Sequence, residues 1–356
     1  MKRFTLLVFV LFSCTAFSEV ITKAPDLAPW EFIVQSDNDL LVGTDGGYTN
    51  GTRLAFAYEL DDKAGNLNLL QRSLKSLTGA DMDGFLNDFR FPADEVKRIQ
   101  FGYGLTHLMF TPENSFTAVP PAGERPYASW LGLGISLQAS GDDFANTAAL
   151  SVGITGENTY AENLQDWVHR NISDDPLFQG WDSQAPTELT VNLHFDHKRS
   201  IGWLKSTWDA PIHSDGFYEW GASLGNFRTD AFLGTQMRFG YNLPANHSSP
   251  MVQVGGMTNR IFDDSNKSDS DFSIYGFLGG RIYGVLHDIS LDGPLFDDWT
   301  HSVDSKPLVV EGRFGVAARY DWIEVSIAHT IRSDEFYGQR NRSEFSSFQA
   351  LIRGTF

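Results

Sequence analysis

The sequence predicts an all-β chain: a transmembrane antiparallel β-barrel of about 12 strands with a short helix in an extracellular loop. Three observations carry that expectation. Apolar and polar residues alternate with period two through most of the 356 residues. The last alternating segment runs to an aromatic residue, Phe356, and the first residues have the layout of a secretory leader. Aromatic side chains are abundant (Phe 28, Tyr 11, Trp 9), as the interfacial girdles of a membrane barrel require. Alternation by itself fits a soluble sandwich equally well, with the polar face outside instead of lining a lumen; the leader and the terminal strand favour the membrane version.

In the leader, Lys2 and Arg3 precede an apolar run from Phe4 to Phe12, too short to cross a bilayer as a helix. Cleavage near Ala16-Phe17-Ser18 assigns 1–18 to a signal peptide and 19–356 to a single barrel domain. Leu11-Phe12-Ser13-Cys14 offers a rival reading as a lipoprotein processing site, which the bulky Phe12 fits poorly. If Cys14 leaves with the leader, no cysteine remains, and disulfides and thiolate chemistry are excluded. A net charge of −18 argues against a nucleic-acid partner and suits anionic lipid only where divalent cations bridge the two.

The strands are expected at 31–41, 51–60, 97–109, 126–138, 144–155, 188–197, 217–227, 231–242, 273–286, 307–319, 322–332 and 345–356. Early on, Leu54, Phe56, Tyr58 and Leu60 oppose Arg53, Ala55, Ala57 and Glu59. Next, Ile99, Phe101, Tyr103 and Leu105 oppose Gln100, Gly102, Gly104 and Thr106, and Leu131, Leu133, Ile135 and Leu137 oppose Gly132, Gly134, Ser136 and Gln138. Toward the end, Phe314 and Val316 oppose Arg313 and Gly315, then Ile323, Val325 and Ile327 oppose Glu324, Ser326 and Ala328. In the last segment, Phe348, Ala350, Ile352, Gly354 and Phe356 share one face; a terminal aromatic of this kind resembles the insertion signal of bacterial outer-membrane barrels. An even strand number returns both ends of the chain to the periplasm and makes the odd-to-even connections extracellular. Two connections on the other side are long, 61–96 and 243–272, and the leucines of the first (Leu67, Leu69, Leu70, Leu74, Leu77) have a helix-like spacing.

Three polar patches fall on the connections assigned to the outside. Ser36-Asp37-Asn38-Asp39, followed by Thr44 to Gly51, gathers carboxylate, amide and hydroxyl oxygens that suit a hard cation such as calcium. Its plain alternative is an Asx- and Gly-rich turn, for which Asn50-Gly51 is good chemistry. The second patch leads from Phe110 to Arg125 and Trp130; Arg125 is a candidate for a phosphate or carboxylate, or an ordinary structural residue. In the third, 161–172 reads as a helix with an apolar stripe of Leu164, Trp167, Val168 and Ile172, and with Gln165 and His169 four apart on a neighbouring face. Packing of that helix on the rim brings His169 toward Asn38-Asp39. Alone, a histidine is more often merely packed; next to a cation site it is a candidate general base for ester hydrolysis. No Gly-x-Ser-x-Gly elbow, His-Glu-x-x-His pair or phosphate loop occurs.

Asn38-Asp39, Tyr48-Thr49-Asn50-Gly51, Arg125-Pro126-Tyr127-Ala128-Ser129-Trp130 and Gln165-Asp166-Trp167-Val168-His169-Arg170 resemble, in order, motifs of the outer-membrane lipid A deacylase (LpxR) family; Leu291-Asp292-Gly293 and His301-Ser302-Val303-Asp304 add to the likeness. The resemblance implies a twelve-stranded outer-membrane barrel with its site between the wall and a loop helix. It also implies calcium-dependent removal of the 3′-linked acyloxyacyl group of lipid A by a phospholipase-A2-like mechanism. Carried over residue by residue, His169 is the base that activates water, with Gln165 beside it. Asn38, Asp39 and Thr49 form the cation and oxyanion side, and Asp175 stands where the family has a glutamate. The family's lysine has no counterpart, since that loop reads Ser115-Phe116-Thr117 here; Arg125 is the candidate replacement. The expected protein is thus a monomeric deacylase of lipopolysaccharide, acting near the extracellular face of the outer membrane with Ca2+. The alternatives are a non-catalytic barrel, either a channel or an inactive relative, and an outer-membrane phospholipase.

Overall fold

In the computed structural model, the described residues are 29–38, 47–60, 96, 98–173, 176–206, 211–244 and 272–355. The leader, residues 61–95 of the first long connection with its leucine-rich segment, and residues 245–271 of the second lie outside them. Twelve antiparallel strands close into a barrel in sequence order, with β1 hydrogen-bonded to both β2 and β12. The strands are β1 (Pro29–Asn38), β2 (Gly47–Glu59), β3 (Arg98–Thr111), β4 (Ala128–Ser140), β5 (Phe144–Thr155) and β6 (Leu189–Ser200). They continue as β7 (Ile212–Gly225), β8 (Arg228–Tyr241), β9 (Phe272–Asp288), β10 (Leu308–Tyr320), β11 (Ile323–Arg332) and β12 (Ser343–Thr355). Each expected strand is present, with ends shifted by a few residues. The largest shifts are at the starts of β7 and β2, expected at 217 and 51 and found at Ile212 and Gly47; the β7–β8 turn, expected at 228–230, is at 226–227, where Arg228 already pairs with Asp288 of β9.

Alternation decides which side chains enter the barrel. On β2, Arg53, Ala55 and Ala57 are buried while Leu54 is exposed; on β4, Leu133 and Ile135 are exposed and Ser136 and Gln138 buried. The outer face is therefore apolar and the inner face polar, the reverse of a soluble core and the arrangement of a barrel in lipid. No helix among the described residues is long and apolar enough to cross a membrane, which says nothing of strands.

The interior is filled by paired charges. Arg281 on β9 donates through Nε and Nη2 to the two oxygens of Glu219 on β7, at 2.6 and 2.7 Å, and Arg313 on β10 reaches the same carboxylate at 3.4 Å. Arg228 donates to Asp230 and Asp288, Arg332 to Glu311, and Lys198 to Asp196. Charges out of water persist only when matched in this way. Toward the end where β1 finishes and β2 begins, called here the upper rim, lies a buried aromatic cluster; Tyr48, Phe110, Trp130, Phe227 and Phe345 are among its members.

The upper rim carries the long described connections. After β5 comes the helix α1 (Ala161–Val168), which passes into a π turn over His169–Ser173. A one-turn helix, α2 (Ile289–Asp292), follows β9. The Leu291-Asp292-Gly293 motif closes that connection: the Asp292 carboxylate accepts from the Ser305 N–H and Oγ, and Val303 N donates to the Leu291 carbonyl.

Candidate active site

Helix α1 lies with Ala161, Gln165 and His169 buried and with Leu164 and Trp167 exposed. The sequence pattern marks the apolar stripe, yet the polar edge is the one packed on protein. In lipid or at its surface this is the favourable choice, because an exposed leucine and tryptophan lose nothing there while an unpaired glutamine would.

Two hydrogen bonds orient the polar edge. Nδ1 of His169 lies 2.8 Å from the Pro176 carbonyl oxygen. A carbonyl only accepts, so Nδ1 carries the proton and the neutral ring keeps its lone pair on Nε2. The imidazole stands edge-on to Phe178, with centroids 5.0 Å apart. Trp181 Nε1 donates to Gln165 Oε1 at 2.7 Å. Indole N–H is donor only, so the carbonyl end of Gln165 faces Trp181 and its amide donors face elsewhere. Behind Trp181, the Tyr127 ring packs at 5.0 Å and its hydroxyl donates to the Ser115 carbonyl. Met109, Tyr127, Ala161, Phe178 and Trp181 form one buried cluster, which seats the connection on the outer side of β3 and the start of β4.

The second group stands on β1 and β2. The β2–β3 ladder slips between Tyr48 and Asn50, which leaves Thr49 as the extra residue of a bulge. Asn38 Nδ2 donates to the Thr49 carbonyl at 3.1 Å, and the Thr49 and Thr111 hydroxyls share a hydrogen bond. Thr111 is on the same face of β3 as Met109, roughly 7 Å along the strand. Thr111 touches the strand group and Met109 the helix-bearing group, so both groups lie on the outer face of β3. Thr111, Phe178 and Trp181 take part and were missed in the sequence, since a threonine, a phenylalanine and a tryptophan in isolation carry no chemical signal.

Asp39 and Asp175 lie outside the described residues. The described members that could face a cation, Asn38 and Thr49, offer only amide, hydroxyl and carbonyl oxygen, a donor set that fits calcium or another hard ion. Among the described residues no cluster of three or more histidine, cysteine or carboxylate side chains stands at metal-binding distance.

Arg125 has the setting of a structural residue, one of the two readings its sequence position left open. It is 4 % exposed, donates to Glu335 at 2.7 Å and to Ser290 Oγ at 3.3 Å, and lies over the Phe110 ring. Its charge is matched within the protein by Glu335. Burial alone would raise the Glu335 carboxyl, but Arg125, Arg332 and the Ser343 hydroxyl together hold it down at about 2.

The outer wall thus carries a bulged threonine, and the β5–β6 connection carries an oriented histidine. The model of the family described as "Outer membrane protein LpxR" matches residues 6–353. The chain belongs to the LpxR family. Among solved structures, LpxR from Salmonella typhimurium is similar at a TM-score of 0.67 and 14% identity, covering 90% of this chain and 99% of that one. This LpxR-like likeness establishes a shared outer-membrane barrel fold. The β domain of the Bordetella autotransporter BrkA (TM-score 0.42, 12% identity, 93% and 100% covered) and the translocator domain of NalP from Neisseria meningitidis (0.39, 8%, 100% and 96%) are more distant barrels. No curated protein sequence matches this chain.

Proposed function

We propose that this LpxR-family barrel is a lipid A 3′-O-deacylase that cleaves the ester-linked acyloxyacyl chain of lipopolysaccharide in the outer leaflet. The upper rim then faces the cell exterior and the acyl chains stay in lipid beside the wall. The observation that carries the reading is the His169–Pro176 hydrogen bond, which leaves Nε2 as the basic atom of a ring buried against the outer wall.

In this reading Nε2 of His169 takes a proton from water as the water oxygen attacks the ester carbonyl carbon. The carbon–oxygen bond to the sugar then breaks, and the imidazolium returns the proton to the leaving 3′ oxygen. The products are a free acyloxyacyl acid and a 3′-hydroxyl. Gln165, with its oxygen occupied by Trp181, has its amide N–H groups to offer the developing oxyanion. Asn38, Thr49, Asp39 and Asp175 would hold calcium, which supplies Lewis-acid polarisation of the ester carbonyl.

The test is lipid A mass spectrometry after expression in a host that lacks the activity, with and without calcium. Loss of the 3′ acyloxyacyl mass in the wild type, and its retention in His169→Ala at equal barrel assembly, are expected. Deacylation by the His169→Ala protein would refute the role of that ring. Unchanged lipid A with release of fatty acid from phospholipid micelles would identify a phospholipase instead.

A further inference from the structure

We infer that His107, on the outer wall below the site, donates a hydrogen bond to the branch-ester carbonyl of the acyloxyacyl chain and so selects branched substrates. The inference rests on the proposed lipid substrate and adds a specificity-determining residue to it. Ser36 pairs with Thr52 in the β1–β2 ladder, and Thr52 pairs with His107 in the β2–β3 ladder. These side chains alternate with the buried Gln35, Arg53 and Thr106 and so stand on the outer face, each partly exposed. Cross-strand neighbours of this kind lie about 5 Å apart.

The row is a polar step in an apolar wall. Phe348 and Leu131 flank it in register, and the next row away from the upper rim is Val34, Leu54 and Leu105. Leu54 and Leu105 are each 42% exposed, as side chains that face lipid are. The row on the rim side is Asn38, Asn50 and Met109. Polarity on the outer wall thus descends one row below Asn38 and then stops.

His107 has no use within the protein. Its Nε2 is enclosed without a hydrogen-bond partner, and the ring makes no hydrogen bond among the described residues. Enclosed N–H groups without an acceptor are the rarest kind of orphan, so the proton of the neutral ring belongs on Nδ1. That nitrogen is then a donor on the lipid side, where no water supplies an acceptor. An ester carbonyl is the acceptor that an acyl lipid carries.

Position links this donor to the site. Met109, about 7 Å along the strand from His107, packs with Phe178 and Trp181, and Phe178 meets His169 edge-on at 5.0 Å. An ester cleaved beside His169 has its acyl chain running down the wall past Met109. In an acyloxyacyl chain the branch ester hangs on the β carbon, so only the α and β carbons and the branch oxygen separate the two carbonyls. The second carbonyl lies a short step deeper in the membrane than the first, as His107 lies deeper than Met109. A phospholipid acyl chain has no polar group at that depth.

Binding can be measured with the full-length barrel in detergent micelles carrying His169→Ala, so that no turnover occurs. The probes are lipid A with its acyloxyacyl branch, the same lipid A with the branch ester replaced by an ether, and lipid A with the branch removed to leave a hydroxyl. The parent is expected to prefer the ester to the ether by about 10-fold. His107→Leu is expected to erase that preference, and His107→Gln, which keeps an N–H donor, to retain part of it. An unchanged preference in His107→Leu, or none in the parent, overturns the assignment. Tightest binding of the hydroxyl lipid would overturn it in favour of a hydroxyl site. Should His107→Leu fail to show the heat-modifiable mobility of a folded barrel, His107→Phe gives the same comparison. A preference that depends on His107, together with an absence of deacylation by the wild type, would leave the specificity residue standing and remove the proposed activity. Deacylation without the preference would remove His107 alone.

Discussion

Glu335 accepts a hydrogen bond from Arg125 at 2.7 Å across 210 residues of chain, and so ties the β11–β12 connection to the start of β4. Arg332 reaches the same carboxylate at 3.3 Å and Ser343 at 2.6 Å. The pair is buried on both sides, so neither charge can be lost without leaving the other unmatched.

The pH dependence follows with a definite sign. The Glu335 carboxyl is lowered from 4.5 to about 2 in the folded barrel. Its contribution is therefore complete above about pH 4.5 and is lost as pH falls toward 2. The magnitude is on the order of 3 kcal/mol. Urea unfolding of the detergent-solubilised protein between pH 6 and 2 should show this decline, and Glu335→Gln should flatten it while lowering stability at neutral pH. A wild-type profile without any loss below pH 4.5 would contradict the pairing.

Trp181→Phe removes the indole donor to Gln165 and keeps the aromatic packing on Tyr127. A lost buried hydrogen bond costs about 1–3 kcal/mol. If Gln165 works from that position, acyl release slows by about 10- to 100-fold, and adding Gln165→Leu slows it little further. Rates that multiply independently in the double variant would separate the two residues.

Gly132 and Gly153 sit opposite each other on β4 and β5. A Cβ on Gly132 would stand 2.2 Å from the Trp130 ring, and one on Gly153 2.6 Å from it. The ring cannot easily withdraw, because its Nε1 donates to Thr190 at 2.7 Å and its face packs on Phe227. Gly132→Val should destabilise the barrel by about 1–3 kcal/mol, read as a lower unfolding midpoint in denaturant.

The charged interior bears on the channel alternative. Glu219, Arg281 and Arg313 are fully buried on strands β7, β9 and β10, and the aromatic cluster lies above them. Planar bilayers containing the pure protein should lack the steady ohmic conductance of a water-filled porin. Replacing all three residues by alanine should raise whatever leak is present.

The sequence by itself determined the strands, and its leader and terminal strand favoured a membrane barrel over a sandwich. Alternation such as Leu54 against Arg53 and Leu133 against Gly132 is a local property of each strand, so twelve strands and their two faces could be read one segment at a time, while closure of the barrel put the polar face inside. The histidine and glutamine of α1 were legible too, because four-residue spacing on a helix is a short-range relation. The tertiary structure decided which edge of that helix packs: Leu164 and Trp167 face outward, a choice that depends on the apolar surroundings and not on the helix. It also decided the fate of Arg125, whose partner Glu335 no local pattern announces. Ion pairs and pockets join distant segments, and their energies depend on burial and on what remains unmatched once the barrel has closed; a one-dimensional pattern holds neither quantity.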